Sequence, residues 1–257
     1  MKKLTVFCAA ACLAASAAAQ NHPDLHEVLD RQKGRNLIEI PKGTYTLDVR
    51  SNGPYKFHNL TDVHINGNGS TVICNNQEQA FSFYNCVRVE LRDLTIDYDP
   101  LCFTQGEITA VAEDGSWFDV RIDEGYPVTG LAANRVQFYD PQTRLLKRNS
   151  ITTYTSNYSA LKQLGHNLFR AVKNGTWSAG EQVGDLVVMD VKTDKPNAGV
   201  HTVMLNKCYN TKLENVTVYG SNTFSFFEKE GYANEYRNCV VDRGPMPQGI
   251  RPRLRSG

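Results

Sequence analysis

Between Ala80 and Tyr98 the chain reads AFSFYNCVRVELRDLTIDY, and its apolar residues fall on alternate positions in three short runs. Phe81 and Phe83 alternate with Ser82 and Tyr84. Asn85 and Cys86 break the alternation, Val89 and Leu91 resume it, and Leu94 and Ile96 close it with Thr95 and Asp97 outward. A period of two marks a strand with one buried face. Strands this short, joined by tight bends, cannot bury their apolar sides alone and need copies of themselves above and below.

Copies are present. With Cys86 set on Cys208, FYNCVRVELRDLTID lies on LNKCYNTKLENVTVY without a gap. Phe81, Phe83, Leu91, Leu94 and Ile96 then fall on Val203, Leu205, Leu213, Val216 and Val218. Upstream, YKFHNLTDVHI puts Tyr55, Phe57, Leu60, Val63 and Ile65 in the columns of Phe81, Phe83, Cys86, Val89 and Leu91. Downstream, FSFFEKEGYANEYRNCVVD matches Phe224 and Phe226 to the first columns. After about two extra residues it sets Tyr236, Cys239 and Val241 on Leu91, Leu94 and Ile96, at a repeat step of roughly 20 to 26 residues. Asp93, Asn215 and Asn238 share one bend, where stacked polar side chains satisfy the turning backbone. Three short strands per step without a helical segment predict an all-β fold, a right-handed parallel β-helix.

His22 to Gly34 reads as a short amphipathic helix with Leu25, Val28 and Leu29 on one stripe, placed to cap the first coil. Asn36 to Asp48 follows around the turn Pro41-Lys42-Gly43, and its IPKGTY string resembles the opening coil of secreted pectate-lyase-like proteins; INGNGSTVI (Ile65–Ile73) is similar to their second coil. After Asp99-Pro100 the coil pattern stops. GEITAV and SWFDVRI flank Glu113-Asp114-Gly115 as a hairpin, and NRVQFYD, NLFRAV and DLVVMDV read as further strands. The expected organisation is a signal peptide (1–19), an N-terminal cap and first coils (20–100), an inserted antiparallel β-barrel or sandwich (101–200), and resumed coils (201–257). Nothing after Val241-Asp242 reads as a cap, so the chain is expected to be one piece of a longer protein, with Arg251, Arg253 and Arg255 offering charge as protection of the last edge.

Composition narrows the function classes. With 28 basic and 27 acidic side chains and a net charge of +1, nothing points to nucleic acid or an anionic membrane. Lys2 and Lys3, the apolar run Leu4–Leu13 and Ala17-Ala18-Ala19 form a secretory signal with cleavage expected after Ala19, which implies a periplasmic or secreted protein. No later run is long enough for a transmembrane segment. Cys8 and Cys12 leave with the signal; Cys74, Cys86, Cys102, Cys208 and Cys239 remain, an odd number without metal-ligand spacing. Cys86 and Cys208 share a column at about 4.8 Å strand spacing, which allows either a disulfide or two small core residues, and Leu60 in the same column suits the second.

Asp97 and Asp242 share an outward column two coils apart, near 10 Å by twice the strand spacing, and are the candidate catalytic carboxylates. That separation lies just above the roughly 6.5–9.5 Å of inverting glycosidases. Glu228 and Glu230 sit in the two-residue bulge and, with the outward aromatics Tyr84, Phe227, Tyr98 and Tyr219, are candidates for contact with a sugar. Some of these aromatics can instead pack beneath the insert. His58, His166 and His201 are scattered, so no metal or cofactor is expected. LTIDYDP before a β-rich insert, with coils resuming after it, resembles glycoside hydrolase family 110. The resemblance implies a secreted, inverting α-galactosidase-like enzyme acting on plant or host glycans. It places the catalytic aspartates in coils that follow the segment corresponding to RPRLRS, so none is carried onto this chain. A polysaccharide lyase and a non-catalytic carbohydrate-binding or adhesin-like β-helix are the alternatives.

Overall fold

The computed structural model describes residues 22–191, 201–221 and 223–254; the expected signal peptide (1–19) and Arg255 lie outside the described residues. The first coils comprise β1 (Leu37–Glu39), β2 (Thr44–Leu47), β3 (Tyr55–His58), β4 (Thr61–Cys74), β5 (Phe81–Tyr84) and β6 (Val87–Tyr98). The insert comprises β7 (Phe103–Val111), β8 (Trp117–Ile122), β9 (Leu131–Tyr139), β10 (Thr153–Tyr154), β11 (Tyr158–Gln163), β12 (Leu168–Lys173) and β13 (Leu186–Val191). The coils resume with β14 (Val203–Asn206), β15 (Lys212–Tyr219), β16 (Phe226–Lys229), β17 (Glu235–Arg237) and β18 (Val240–Asp242).

Two parallel sheets run along this solenoid. Sheet A follows the order β1-β4-β6-β15-β17, with β2 on β4 and β18 on β15; sheet B follows β16-β14-β5-β3. The register is the one the apolar columns predict for most of the chain. Phe81 faces Val203, Phe83 faces Leu205, Leu91 faces Leu213 and Ile96 faces Val218. Tyr55 and Phe57 face Phe81 and Phe83, and the Phe57 and Phe83 rings stack at 4.8 Å. Cys86 and Cys208 lie in adjacent coils as buried free thiols, so the column holds two small core residues and no disulfide.

The bends explain why the columns stay aligned. Asp93, Asn215 and Asn238 all adopt left-handed backbone (φ 56°, 53° and 50°), and Asn215 Nδ2 donates to Asp93 Oδ1 at 2.8 Å. Two further bend columns behave alike: Asn59, Asn85, Lys207 and Glu230 in one, Asp62, Arg88, Asn210 and Ala233 in the other. Asn85 Nδ2 donates to Asn59 Oδ1 at 2.8 Å, and Arg88 pairs with Asp62. Asn and Asp tolerate the left-handed region that most L-residues avoid. Gly67 meets a different demand: a Cβ there would lie 2.4 Å from the Asp93 carbonyl oxygen of the next coil.

One part of the predicted register is corrected. β14 and β16 pair without interruption from Val203↔Phe226 to Asn206↔Lys229, so Phe226 and Glu228, not Phe224 and Phe226, take the inward columns, and the two-residue bulge does not exist. The offset between these coils is the same 23 residues at each bend, which leaves no room for an insertion. Matching left-handed bend positions outweighs the apolar match that Phe224 offers.

The insert is one antiparallel sheet in the order β10-β9-β13-β7-β8-β12-β11. Its first and last strands, β10 and β11, are joined by the single 3-10 turn Thr155–Asn157. Three residues span at most about 10 Å, so the sheet must curl until its edges are neighbours. Phe103, Phe118, Phe138 and Val187 fill the interior as a core separate from that of the coils. A six-residue helix, α1 (Leu25–Asp30), precedes the coils. Asp24 accepts from the His26 N–H at its start, and Leu25 and Leu29 belong to the buried cluster of the coils. No helix among the described residues is long and apolar enough to cross a membrane.

Residues 243–254 correct a second expectation. They turn away from the last coil edge and lie along the insert: Tyr126 Oη donates to the Arg251 carbonyl at 2.8 Å, the Leu254 N–H donates to Gln105 Oε1 at 2.9 Å, and Leu254 is buried in the insert core. Arg251 pairs with Asp123 at 2.9 Å, so neither it nor Arg253 shields a coil edge.

The same column position should differ in weight along the solenoid. Phe83→Ala empties a site with no exposed surface and should cost about 3–5 kcal/mol in urea unfolding. Val241→Ala, at a position already 41% exposed, should cost well under about 1 kcal/mol. Equal losses at the two positions would contradict the stacked-coil packing.

Candidate functional site

The outward column of sheet A carries the two candidate carboxylates. Asp97 lies beside Ile73 in one neighbouring coil, while Tyr219 pairs with Asp242; the column therefore runs Asp97, Tyr219, Asp242, as the repeat predicts. Their environments differ. Asp97 is buried and receives a two-pronged bond from Arg253, Nη1 to Oδ1 at 2.8 Å and Nη2 to Oδ2 at 3.0 Å, as well as the Tyr98 N–H at 2.8 Å. Burial pushes its carboxyl up from the ordinary value, and the Arg253 guanidinium works against that shift. Asp242 is exposed and accepts from the Arg243 N–H at 2.6 Å. The pair sits in one column, but only Asp242 is open to a ligand in this arrangement.

Arg253 reaches Asp97 because the chain after β18 crosses the outer face of Tyr219 at Gly244. That glycine has φ +71°, and a Cβ there would lie 2.6 Å from Arg253 Nη1 and 2.8 Å from Tyr219 Cβ. The clamp therefore ties coil, insert and the 243–254 strap at one point. The sequence carries no signal for it, since an arginine between Pro252 and Leu254 matches no pattern.

Glu228 lies inward at the last described coil, where its carboxylate accepts from Asn234 Nδ2 at 2.8 Å and from Tyr236 Oη at 3.4 Å. Glu230 occupies a left-handed bend and pairs with Lys229 at 3.1 Å. Tyr98 is buried, its hydroxyl donating to the Glu78 carbonyl and meeting Thr202 Oγ1 at 2.8 Å, so it packs inside and offers no face to solvent.

One group of aromatics lies on and beside the outer face of sheet B, whereas Tyr154, Tyr232 and Tyr236 are exposed elsewhere. The outward positions of sheet B are Lys56 and His58 on β3, Ser82 and Tyr84 on β5, Met204 and Asn206 on β14, and Phe227 and Lys229 on β16. Tyr84 is 37% exposed, with the His58 ring 5.6 Å away and Lys207 Nζ 5.7 Å above its own ring. Phe227 stacks on His201 at 4.1 Å and 20°, and Phe224, 58% exposed, lies parallel to it at 5.9 Å. Burial lowers both imidazoles below their usual value, with Lys56 adding to the shift at His58, which favours the neutral form of each ring. His201 and Phe224 were not expected here: the first looked like a scattered histidine, the second like a core residue. At the His58 end, a groove of about 360 Å³ runs along the free edge of β3, bordered by Arg35, Lys56, Leu60 and Thr61. No group of three or more His, Cys, Asp or Glu among the described residues could hold a metal ion.

Chemically, this face offers flat apolar rings beside hydroxyl, amide and ammonium groups, and it carries no carboxylate at an outward strand position. Rings with one open face and polar neighbours suit ligands that are apolar on one side and hydroxylated around the rim. Neither the protein-family models nor the curated proteins compared with this chain match it.

The Asp97–Arg253 clamp makes a testable demand. Arg253→Met should leave Asp97 buried without its partner and cost about 3–5 kcal/mol at neutral pH. Without the guanidinium, the folded-state carboxyl value rises further above the unfolded one, so stability is lost as pH rises through it. Urea titrations from pH 4 to 8 should show a deficit that grows with pH; a deficit independent of pH would mean that Asp97 is not the group affected.

Proposed function

We propose that this chain is the glycan-binding part of a secreted, carbohydrate-active β-helix protein of the glycoside-hydrolase kind, and that the outer face of sheet B holds the sugar. The observation that carries the reading is the aromatic row, Tyr84 beside His58 and Phe227 on His201 with Phe224, on a rigid face without outward carboxylates. Phe227 and Tyr84 keep the substrate-contact role expected of them, whereas Glu228, turned inward, joins them only at the rim of the last coil.

Inverting hydrolysis needs one carboxyl group to protonate the leaving oxygen and a second to activate water. Asp242 is free for such a part, while Asp97 would first have to leave Arg253. The α-galactosidase reading therefore rests on the sequence resemblance and on Asp242, and the binding reading rests on the exposed rings. The signal segment and the N-terminal helix over the first coil complete the proposal as export signal and cap.

Affinity electrophoresis through gels containing neutral galactans, galactomannans or mucin glycans would test it. Retardation is expected in at least one gel, and Tyr84→Ala with Phe227→Ala should weaken it roughly tenfold, since each aromatic contact is worth about 0.5–1.5 kcal/mol. Absence of retardation in every gel, or unchanged retardation of the folded double variant, would overturn the binding reading. Galactose release from an aryl α-galactoside, abolished by Asp242→Asn, would support the hydrolytic one.

A further inference from the structure

We infer that the groove beside β3 holds the anionic group of an acidic glycan, a sulfate ester or a carboxylate, between Arg35 and Lys56. The assignment rests on the glycan reading of the sheet B face, because the ring that bears this group continues onto Tyr84.

Charge singles out the groove. It occupies about 360 Å³ between two described segments, with Lys33 to Asn36 after α1 on one side and β3 on the other. Buried Ile38, Phe57 and Val63 supply apolar walls. Its lining includes Lys33, Arg35, Lys56 and His58, and no aspartate or glutamate. Lys33 is already matched by Asp30 at 2.8 Å. Arg35 and Lys56 are exposed, and neither has an ion-pair partner among the described residues. Two carboxylates adjacent to the lining in sequence turn to partners outside it: Asp62 to Arg88 Nη2 at 2.7 Å, Glu39 to Asn68 Nδ2 at 2.6 Å. Two unmatched cations are left in a concave site with apolar walls. A cleft lined by one sign of charge focuses its potential and concentrates ligands of the opposite sign.

Backbone donors add to the pair. Tyr55 and Asn59 donate their N–H groups to the Ala80 and Tyr84 carbonyls of the next coil, each at 2.9 Å. Alternate residues of a parallel ladder turn to one neighbour, so Lys56 and His58 turn theirs to the groove. Guanidinium, ammonium and backbone N–H donors together suit the several oxygen atoms of a sulfate or carboxylate.

His58 joins the groove to the aromatic row. It lines the groove, its Nε2 lies 3.2 Å from Ser82 Oγ, and its ring is 5.6 Å from that of Tyr84. Strands of successive coils stand about 4.8 Å apart, so Tyr84 is one step from the groove wall. Lys207, whose ammonium lies 5.7 Å from the Tyr84 ring centre, is already drawn to Glu230 at 3.8 Å. Selection for charge therefore falls to Arg35 and Lys56.

Calorimetric titration of the 257-residue chain with two matched pairs of polysaccharides tests the assignment. One pair is a sulfated galactan and its desulfated form; the other is a uronic-acid polysaccharide and its methyl ester. The anionic member of at least one pair should bind roughly five- to tenfold more tightly than its neutral form, and the pair that responds tells sulfate from carboxylate. Arg35→Gln with Lys56→Gln should remove that preference and leave the neutral form's affinity as it was. Arg121→Gln with Lys162→Gln, an equal loss of charge on the insert, should preserve it. Equal affinity within both pairs, a preference that survives R35Q/K56Q, or one lost equally in R121Q/K162Q would overturn the groove assignment and leave the aromatic face standing. Tyr84→Ala with Phe227→Ala separates the two readings: unchanged affinity for the neutral form would overturn the aromatic face alone. Failure of all four polysaccharides to bind would overturn both.

Discussion

Parallel pairing of coil on coil is the constraint on which the rest of this molecule depends. Each strand can satisfy its backbone only if a strand of the next coil lies about 4.8 Å above it in the same register. Matching bend lengths keep the register along most of the solenoid, and between Asn66 and Ser70, where the earlier coil holds two more residues than Arg92–Leu94 opposite, the ladder resumes beyond the extra pair. The left-handed residues at Asn59, Asn85, Lys207 and Glu230, and at Asp93, Asn215 and Asn238, hold the bend length constant. Burial then follows, because aligned strands deliver Phe57, Phe83 and Leu205 into one continuous core.

A solenoid built this way is paired along its faces and open to insertion at its bends. The insert exploits one bend: a whole antiparallel barrel-like sheet leaves after β6 and the coils return in register at Val203. The 243–254 strap holds the insert by apolar and polar contacts alike, with Leu254 buried in the insert core. Arg253 on Asp97, Gln105 on Leu254 and Arg251 on Asp123 join the two bodies through side chains in one small region. Breaking a buried pair costs more than making it gains, so the clamp acts mainly by penalising any arrangement in which the strap lets go.

Function, on this reading, belongs to what the core does not need. Inward positions are committed to packing, and the outward positions of sheet B are free to carry His58, Tyr84 and Phe227. His58, Tyr84 and Phe227 stand on strands while His201 and Phe224 lie just outside them; under the proposed reading, rings held on strands would lose little entropy on meeting a ligand.

The sequence alone determined the coils, because period-two alternation and the Cys86–Cys208 alignment are properties of neighbouring residues and equal bend lengths. It also marked the hairpin around Gly115 and the outward column shared by Asp97 and Asp242. Two things lay beyond it. The choice between Phe224 and Phe226 for the inward column needed the bend geometry, since both residues satisfy an apolar pattern equally well. The state of Asp97 needed the tertiary structure, since its partner Arg253 lies 156 positions away and only the fold brings a guanidinium against that carboxylate. Local pattern records which side of a strand is buried; it does not record which distant charge will arrive there.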